Sequence, residues 1–133
     1  MAHSLTGIGP FFGYFALALL LEFVFVAAYT AITPYREITL IRGGNTAAAI
    51  TLAGVLIGFS LPLAKAVAQS GSIIDMFLWS VLGFIAQLLA YFAVRIALPH
   101  LVADVKEGKQ ASAVLLAGVS VAIGLVNAAA MTG

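Results

Sequence analysis

Residues 46–66 read TAAAITLAGVLIGFSLPLAKA, and their one charged residue, Lys65, lies at the end of the run. A helix of this length crosses a hydrocarbon core of about 30 Å, because each residue advances it by about 1.5 Å. Three more segments share this apolar character: Phe11 to Thr33, Met76 to Leu98, and Ala111 to Met131. The sequence therefore predicts an all-α, polytopic membrane protein with four transmembrane helices.

The overall composition agrees with this fold class. Hydrophobic residues make up 63% of the chain and charged residues 8%, against about 25% charged residues in a soluble domain. We expect one transmembrane domain over residues 1–133, whose first segment is a permanent helix because no basic residue precedes it. The net charge of +1, with scattered basic residues, gives no basic stripe, so nucleic acid is not an expected partner.

The distribution of the basic residues predicts an orientation. Five of the six lie in or beside the first and third connections: Arg36, Arg42, Arg95, Lys106 and Lys109. Only Lys65 lies toward the other face. Since cytoplasmic loops carry the excess of Lys and Arg, we expect both termini to be periplasmic. Three tyrosines fall near the cytoplasmic interface in this frame and are expected in its aromatic belt: Tyr29, Tyr35 and Tyr91.

The chain matches itself without gaps at an offset of 64 residues. The matched positions include Ile41, Arg42, Gly44, Ala49, Leu52, Ala53, Gly54 and Val55 against Val105, Lys106, Gly108, Ala113, Leu116, Ala117, Gly118 and Val119. Repeat 1 covers about 11–66 and repeat 2 about 76–131. We expect a tandem, parallel duplication of a two-helix unit.

Each repeat has the same order of features. A spanning helix is followed by a proline, Pro34 or Pro99, then by a short amphipathic stretch, a glycine and a second spanning helix. The stretches Glu37 to Arg42 and Leu101 to Lys106 are expected to form short helices in the cytoplasmic interface. Asn45 is expected to cap the second spanning helix, and Pro62 is expected to bend it.

Small residues predict that the second and fourth spanning helices form the core pair. In lipid, close backbone approach drives association, and small residues four apart permit it. The expected packing residues are Ala49, Ala53, Gly54, Gly58, Ala113, Ala117, Gly118 and Ala122. A dimer face or a pore lining remains an alternative use of the same residues.

Four polar side chains lie within the apolar segments and are candidate site residues: Glu22, Gln87, Ser60 and Asn127. An ionised Glu22 at the middle of the first helix costs at least about 2.5 kcal/mol, so we expect it to be protonated, paired or facing water. A neutral Glu22 bonded to a neighbouring helix and a Glu22 that moves a proton or cation both stay open. Gln87 is expected to tie helices together, with Glu22 as a potential partner. Ser60 and Asn127 indicate either local hydrogen bonding or a small polar vestibule at the outer ends of their helices.

No catalytic or cofactor motif is present, so we expect neither an enzyme nor a bound cofactor. His3 and His100 fall on opposite faces of the predicted topology, so no metal site is expected. The chain has no cysteine, which excludes disulfides and thiolate chemistry.

Three strings resemble the YjfL-like family of small bacterial inner-membrane proteins, the domain of unknown function 350. They are ITPYREITLIRGGNTAAAITLAGVLIGFSLPLAKA at 32–66, DMFLWSVLGFIAQLLAYFAVR at 75–95 and GLVNAAAMTG at 124–133. The resemblance rests above all on Thr33-Pro34, Glu37, Asn45, Gly54 with Gly58, Pro62-Leu63, Asp75, Trp79, Gln87-Leu88-Leu89 and Asn127-Ala128-Ala129. It implies a bacterial cytoplasmic membrane protein with no established reaction, and partners of the envelope-stress or flotillin-like kind. Glu22 lies outside these motifs.

Two functions follow as hypotheses. The first is a non-enzymatic, homo-oligomeric membrane component of envelope homeostasis that organises partners or conducts an ion. The second is a small proton-coupled transporter of the multidrug-resistance type that uses Glu22, since those transporters also have four short helices and a glutamate in the first. The strong charge bias of this chain disfavours the second hypothesis. A lipid-modifying enzyme has no motif in its favour.

Overall fold

The computed structural model describes residues 2–69 and 72–131. This part of the chain is helical, with six helices in the order long, short, long, long, short, long. They are α1 (Ala2–Ile32), α2 (Glu37–Arg42), α3 (Thr46–Gln69), α4 (Ile73–Ala97), α5 (Leu101–Lys106) and α6 (Gln110–Ala130).

Four of these helices are long and apolar enough to cross a membrane, which confirms the predicted number of spans. The candidate spans are Phe12–Ile32, Thr46–Gln69, Ile73–Ala97 and Gln110–Ala130. α3 has the largest share of its apolar window buried within the chain, and α1 the smallest. The bundle is therefore built around α3, while α1 packs at its edge.

The start of the first helix differs from the prediction. The sequence predicts that the first spanning segment begins at Phe11, whereas α1 already begins at Ala2 and continues through Pro10. Extending an existing helix adds one hydrogen bond for each residue fixed, without a second nucleation cost, so weak helix formers before Pro10 join it. The span itself still begins close to the predicted residue, at Phe12.

The two connections that contain α2 and α5 end in the same backbone motif. Asn45 N–H donates to Leu40 O, and Gly44 N–H donates to Ile41 O. Sixty-four residues later Lys109 and Gly108 donate in the same way to Asp104 and Val105. Gly44 and Gly108 have φ of +90° and +78°. This is the glycine-terminated helix end in which the residue after the helix takes a left-handed conformation.

α3 and α6 approach each other closely along three glycines. A Cβ built on Gly54 would lie 2.4 Å from Ala117 Cα, and one on Gly58 would lie 2.4 Å from Ser120 O. A Cβ on Gly124 would lie 2.1 Å from Gly58 O. Only hydrogen fits at these positions, so the small residues are what bring the two backbones together.

The contact uses only part of the expected set of small residues. Ala113 is buried, and Ala49 and Ala117 are half-buried. The remaining three lie exposed on the outside of α3 and α6, where the prediction had placed them in the core pair: Ala53, Gly118 and Ala122. Each helix carries small residues on more than one face, and only the face with Gly54 and Gly58, or with Ser120 and Gly124, turns inward.

The three prolines singled out in the sequence differ in their structural positions. Pro34 and Pro99 lie in the two connections after α1 and α4. Pro62 lies inside α3, which continues to Gln69, and its ring packs against Gly83 of α4. Pro62 has no N–H, so it leaves Gly58 O without its intrahelical donor. That oxygen lies against Gly124, where a Cα–H fits as a weak substitute donor.

Asn45 joins the first connection to the second. Its Oδ1 accepts from Ala48 N at 3.0 Å, which caps α3, and its Nδ2 donates to Val105 O at 2.8 Å and to Lys106 O at 3.3 Å. One side chain thus satisfies an amide at the start of α3 and carbonyls at the end of α5.

We expect Asn45→Ala to lower the free energy of unfolding by about 2 kcal/mol, because a cap and an interhelical hydrogen bond each contribute about 1 kcal/mol. Asn45→Ser is the matched control. Serine keeps the capping oxygen but is too short to reach Val105, so about half of the loss is expected. Unfolding by denaturant in detergent micelles measures both variants. Equal losses in the two variants would show that the bond to α5 contributes everything.

Candidate functional site

Glu22 lies half-buried in α1 and is bonded to α3. Ser60 Oγ donates to Glu22 Oε1 at 2.9 Å and also lies 2.7 Å from Leu56 O. The second carboxyl oxygen, Oε2, is buried without a hydrogen-bond partner among the described residues. Glu22 is therefore hydrogen-bonded to Ser60 through Oε1, while Oε2 has no hydrogen-bond donor among the described residues.

Gln87 is fully buried and ties α4 to α6. Its Nε2 donates to Ser120 O at 3.1 Å, while its Oε1 has no partner among the described side chains and backbone groups. The predicted interhelical bond of Gln87 is present, but its partner is a backbone carbonyl of α6. The potential bond between Glu22 and Gln87 is absent, because each side chain is directed to a different helix.

Asn127 is half-buried near the end of α6, and its Nδ2 has no partner in the described part of the chain. Ser60 is exposed and bonded to Glu22. The structure therefore brings Glu22 and Ser60 together, and it gives no hydrogen bond that joins Asn127 or Gln87 to them.

A second polar cluster lies at the end of the bundle that carries α2 and α5. We call Tyr29, Tyr35, Glu37 and Tyr91 the tyrosine–glutamate cluster. Each of these four side chains is at most 1% exposed. They come from α1, from the following connection, from the first residue of α2 and from α4. Three helices and one connection thus meet around one carboxyl group.

The side chains of this cluster lie close to one another and to Thr33. The rings of Tyr29 and Tyr91 meet edge to face, with centroids 5.9 Å apart. Thr33 Oγ1 donates to Glu37 Oε1. Each of the three tyrosines lies close enough to Glu37 to interact with its charge.

Four oxygen atoms of the cluster lack a hydrogen-bond partner. They are the hydroxyls of Tyr29, Tyr35 and Tyr91 and Oε2 of Glu37, and all four atoms are buried. The Thr51 hydroxyl lies beside Tyr35 and the Arg95 guanidinium beside Tyr91, close enough to act on these hydroxyls as neighbours, but neither contact has the geometry of a standard hydrogen bond. Buried polar atoms are normally paired, so this concentration indicates a site that a ligand, a proton or water would satisfy.

Burial changes the acid–base behaviour of the cluster. It raises the pKa of Glu37 from 4.5 to about 7, even though the hydrogen bond from Thr33 acts in the opposite direction. Burial and the neighbouring Tyr91 and Glu37 raise the pKa of the Tyr35 hydroxyl well above 10.0. Glu37 therefore exchanges a proton near neutral pH, while Tyr35 stays protonated.

The family of the chain follows from comparison with known proteins. The family model described as Domain of Unknown Function (DUF350) matches residues 3–131. The chain belongs to the DUF350 family. Its resemblance to that family, drawn from the sequence strings, is thereby confirmed.

Two relatives illustrate the family. This DUF350 chain is 33% identical over 130 residues to the UPF0719 inner membrane protein YjfL of Escherichia coli (strain K12), covering 98% of each chain. It is 28% identical over 91 residues to the UPF0719 transmembrane protein YshE of Bacillus subtilis (strain 168), covering 68% of each. No solved structure matches it. The relatives and the four apolar helices together identify a membrane protein.

The sequence reasoning missed the cluster of this DUF350 chain. It assigned the three tyrosines to an interfacial belt, where they would be partly exposed, whereas they are buried. A usable signal was present at the 64-residue offset. The position equivalent to Glu37 is Leu101, which is completely buried. A carboxylate at a position whose match at this offset is a leucine indicates an inward-facing charge.

Proposed function

We propose that the chain is a non-enzymatic, homo-oligomeric component of the bacterial cytoplasmic membrane that conducts a cation, with the tyrosine–glutamate cluster as its binding site. The observation that carries this proposal is the group of four buried oxygens, of Glu37 and the three tyrosines, that lack a hydrogen bond of standard geometry. All four are potential ligands or hydrogen-bond acceptors for a positive species. A cation or proton held there would neutralise the carboxylate and satisfy the oxygens.

The position of the cluster supports conduction. Tyr29 lies in the last turn of the first span, and Tyr91 lies two turns before the end of α4. Glu37 lies in the connection between the first two spans, at the end of the bundle where five of the six basic residues also lie. With both termini periplasmic, the cluster would be at the cytoplasmic mouth of the bundle. A site at this depth receives a cation from water and passes it into the apolar region.

A tandem, parallel duplication supports the same orientation. The exact offset of 64 between α2 and α5, between the starts of α3 and α6, and between Gly44 and Gly108 favours two copies of one unit. Two parallel copies would lay α2 and α5 in the cytoplasmic interface. In this proposal one copy evolved the carboxylate Glu37, and the other kept Leu101 as packing.

Self-association and an envelope role complete the proposal. Exposed small residues on α3 and α6, among them Ala53 and Gly118, would let a second copy approach closely. The partners expected in the envelope are stress-response or flotillin-like proteins, through the two cytoplasmic connections. Recovery of strictly monomeric protein from native membranes, with nothing retained on crosslinking, would contradict this part.

Purified protein in liposomes is expected to dissipate an imposed gradient of H⁺, Na⁺ or K⁺, and Glu37→Gln is expected to lower the rate at least about tenfold. Gln lacks the charge that stabilises the bound cation, while its shape preserves the packing. Glu107→Gln is the matched control, since Glu107 is exposed in the connection after α5. Ion-sensitive dyes inside the vesicles measure the rate. Equal rates in wild type and Glu37→Gln would reject the cluster as the site.

Proton-coupled transport of an organic cation by Glu22 is the second candidate. It is favoured by the unpartnered Oε2 of Glu22 and by a 190 Å³ apolar cavity, lined by Leu21 and Phe25 among others, that lies next to it along α1. In the same liposomes, uptake of a labelled organic cation that is lost in Glu22→Gln and kept in Glu37→Gln would favour this candidate over the first.

A further inference from the structure

One face of α1 carries both polar centres and an aromatic ring between them. Glu22, Phe25 and Tyr29 follow at i, i+3 and i+7, which places them on the same side of the helix. Seven residues correspond to a rise of about 10.5 Å. Glu22 with Ser60 therefore lies about two turns from the tyrosine–glutamate cluster, and Phe25 lies on the direct line between them.

The ring of Phe25 is held in an aromatic stack. It lies parallel to the ring of Phe59 on α3, with centroids 4.1 Å apart and an interplanar angle of 5°. The ring of Phe84 on α4 meets it edge to face at 5.3 Å. Phe25 is only 2% exposed. Three of the helices that carry the two polar centres, α1, α3 and α4, thus pack against one another through three phenyl rings.

A cavity lies beside this stack. It has a volume of 190 Å³, lies between α1, α3 and α4, is open on its outer side, and is lined by all three rings and by Ala28, Ser80 and Val81, among others. A cavity of about 150 Å³ is enough to hold a benzene ring. The cavity is therefore large enough to receive the Phe25 ring.

We propose that Glu22 with Ser60 and the tyrosine–glutamate cluster are two stations for a proton, and that the Phe25 ring is the barrier between them, moving into the neighbouring cavity when it opens. This inference rests on the proposed function and names its cargo. Rings stacked at 4.1 Å leave no passage for a hydrated metal ion. A proton needs only a brief file of water: it leaves one carboxyl group, which becomes a carboxylate, and the other carboxylate accepts it.

Proton flux into liposomes, reported by a pH-sensitive dye, tests the barrier. Phe25→Ala is expected to raise the flux roughly tenfold, because the closed state loses its aromatic contacts. Ala28→Leu fills the cavity and is expected to lower the flux, because the ring has nowhere to move. The matched control is Ala27→Leu, since Ala27 is exposed on the other side of α1 and does not line the cavity. It is expected to leave the flux unchanged.

Two double variants separate a path from a leak. Phe25→Ala with Glu37→Gln is expected to lose the extra flux, whereas a leak through misfolded protein would persist. Ala28→Leu is expected to have no effect in the Phe25→Ala background, since no ring then needs the cavity. Flux that stays high in the first double variant, or that falls in the second, would overturn the barrier.

The outcomes also distinguish this inference from the function on which it rests. Flux that requires Glu37 but is unchanged in Phe25→Ala overturns the barrier alone. Flux of Na⁺ or K⁺ through the wild type, with none of H⁺, overturns the proton as cargo and leaves the cation site intact. Wild-type liposomes that carry no cation at all overturn both proposals.

Discussion

Gly124→Ala is expected to lower the free energy of unfolding by about 1–3 kcal/mol, the usual cost of forcing an extra carbon into a packed interface. The Cβ would lie 2.1 Å from Gly58 O and 2.8 Å from Gly58 Cα. Both neighbours are backbone atoms, which no rotamer change can move aside. α6 would have to move away from α3, and the two helices would lose contact along their length.

Gly118→Ala is the matched control on the same helix. A Cβ at Gly118 meets nothing within 4 Å. Alanine favours the helical conformation over glycine by up to about 1 kcal/mol, so this variant is expected to be neutral or slightly more stable. The same chemical change, six residues apart, should therefore have opposite signs. Unfolding equilibria in detergent micelles measure both variants under identical conditions.

The hydrogen bond of Gln87 gives a second readout for this interface. A Cβ on Gly58 would lie 2.4 Å from Ser120 O and 2.7 Å from Gln87 Nε2, so the close approach and the bond from Gln87 to Ser120 share one location. Gly58→Ala is expected to be at least as destabilising as Gly124→Ala. If both variants were as stable as Gly118→Ala, α3 and α6 would not be in contact through these glycines.

The pairing of α3 with α6 was predictable, but the faces that meet were not. Regularly spaced small residues identify helices that approach closely. In an aqueous protein the polar side of each helix would show which face turns outward. Here lipid and protein interior are equally apolar, so Ala53 and Gly54 look alike in sequence although the first is exposed and the second buried.

The four spans were predictable from local sequence, whereas the tyrosine–glutamate cluster was not, because it depends on long-range contacts. A spanning helix is identified from the hydropathy of about twenty consecutive residues, and this does not depend on tertiary contacts. The site depends on Tyr29, Tyr35 and Glu37 meeting Tyr91, which is more than fifty residues away. Glu37 also stands in a short helix whose pattern predicts an exposed polar residue. Only the fold shows that its side chain turns toward the tyrosines.

The stability of the folded protein is expected to fall as pH rises from about 4.5 to about 7, and Glu37→Gln is expected to remove most of this dependence. Burial raises the pKa of Glu37 from 4.5 to about 7 in the folded protein. Between these values the unfolded chain has released the proton, while the folded chain still holds it. The folded state binds more protons, so stability decreases with rising pH.

The size of the effect follows from the same shift. Below about pH 4.5 both states are protonated and Glu37 contributes no pH dependence. Above about pH 7 both are ionised, and the folded protein has lost on the order of 3 kcal/mol relative to acid conditions. Glutamine resembles the protonated carboxyl group in shape and charge, so Glu37→Gln is expected to be the more stable protein at pH 8 and close to wild type at pH 4.

The difference between wild type and Glu37→Gln, followed from pH 4 to pH 8 by denaturant unfolding in micelles, isolates this one group. The other groups that face Glu37 are the hydroxyls of Thr33 and the three tyrosines, with the Arg95 guanidinium near Tyr35 and Tyr91. None of these residue types ordinarily titrates between pH 4.5 and 7. Residues elsewhere in the chain are the same in both proteins, so their contributions cancel in the difference. If the stability difference between wild type and Glu37→Gln grew toward acid pH instead, Glu37 would be ionised and paired in the folded protein. The oxygens around it would then already hold a cation.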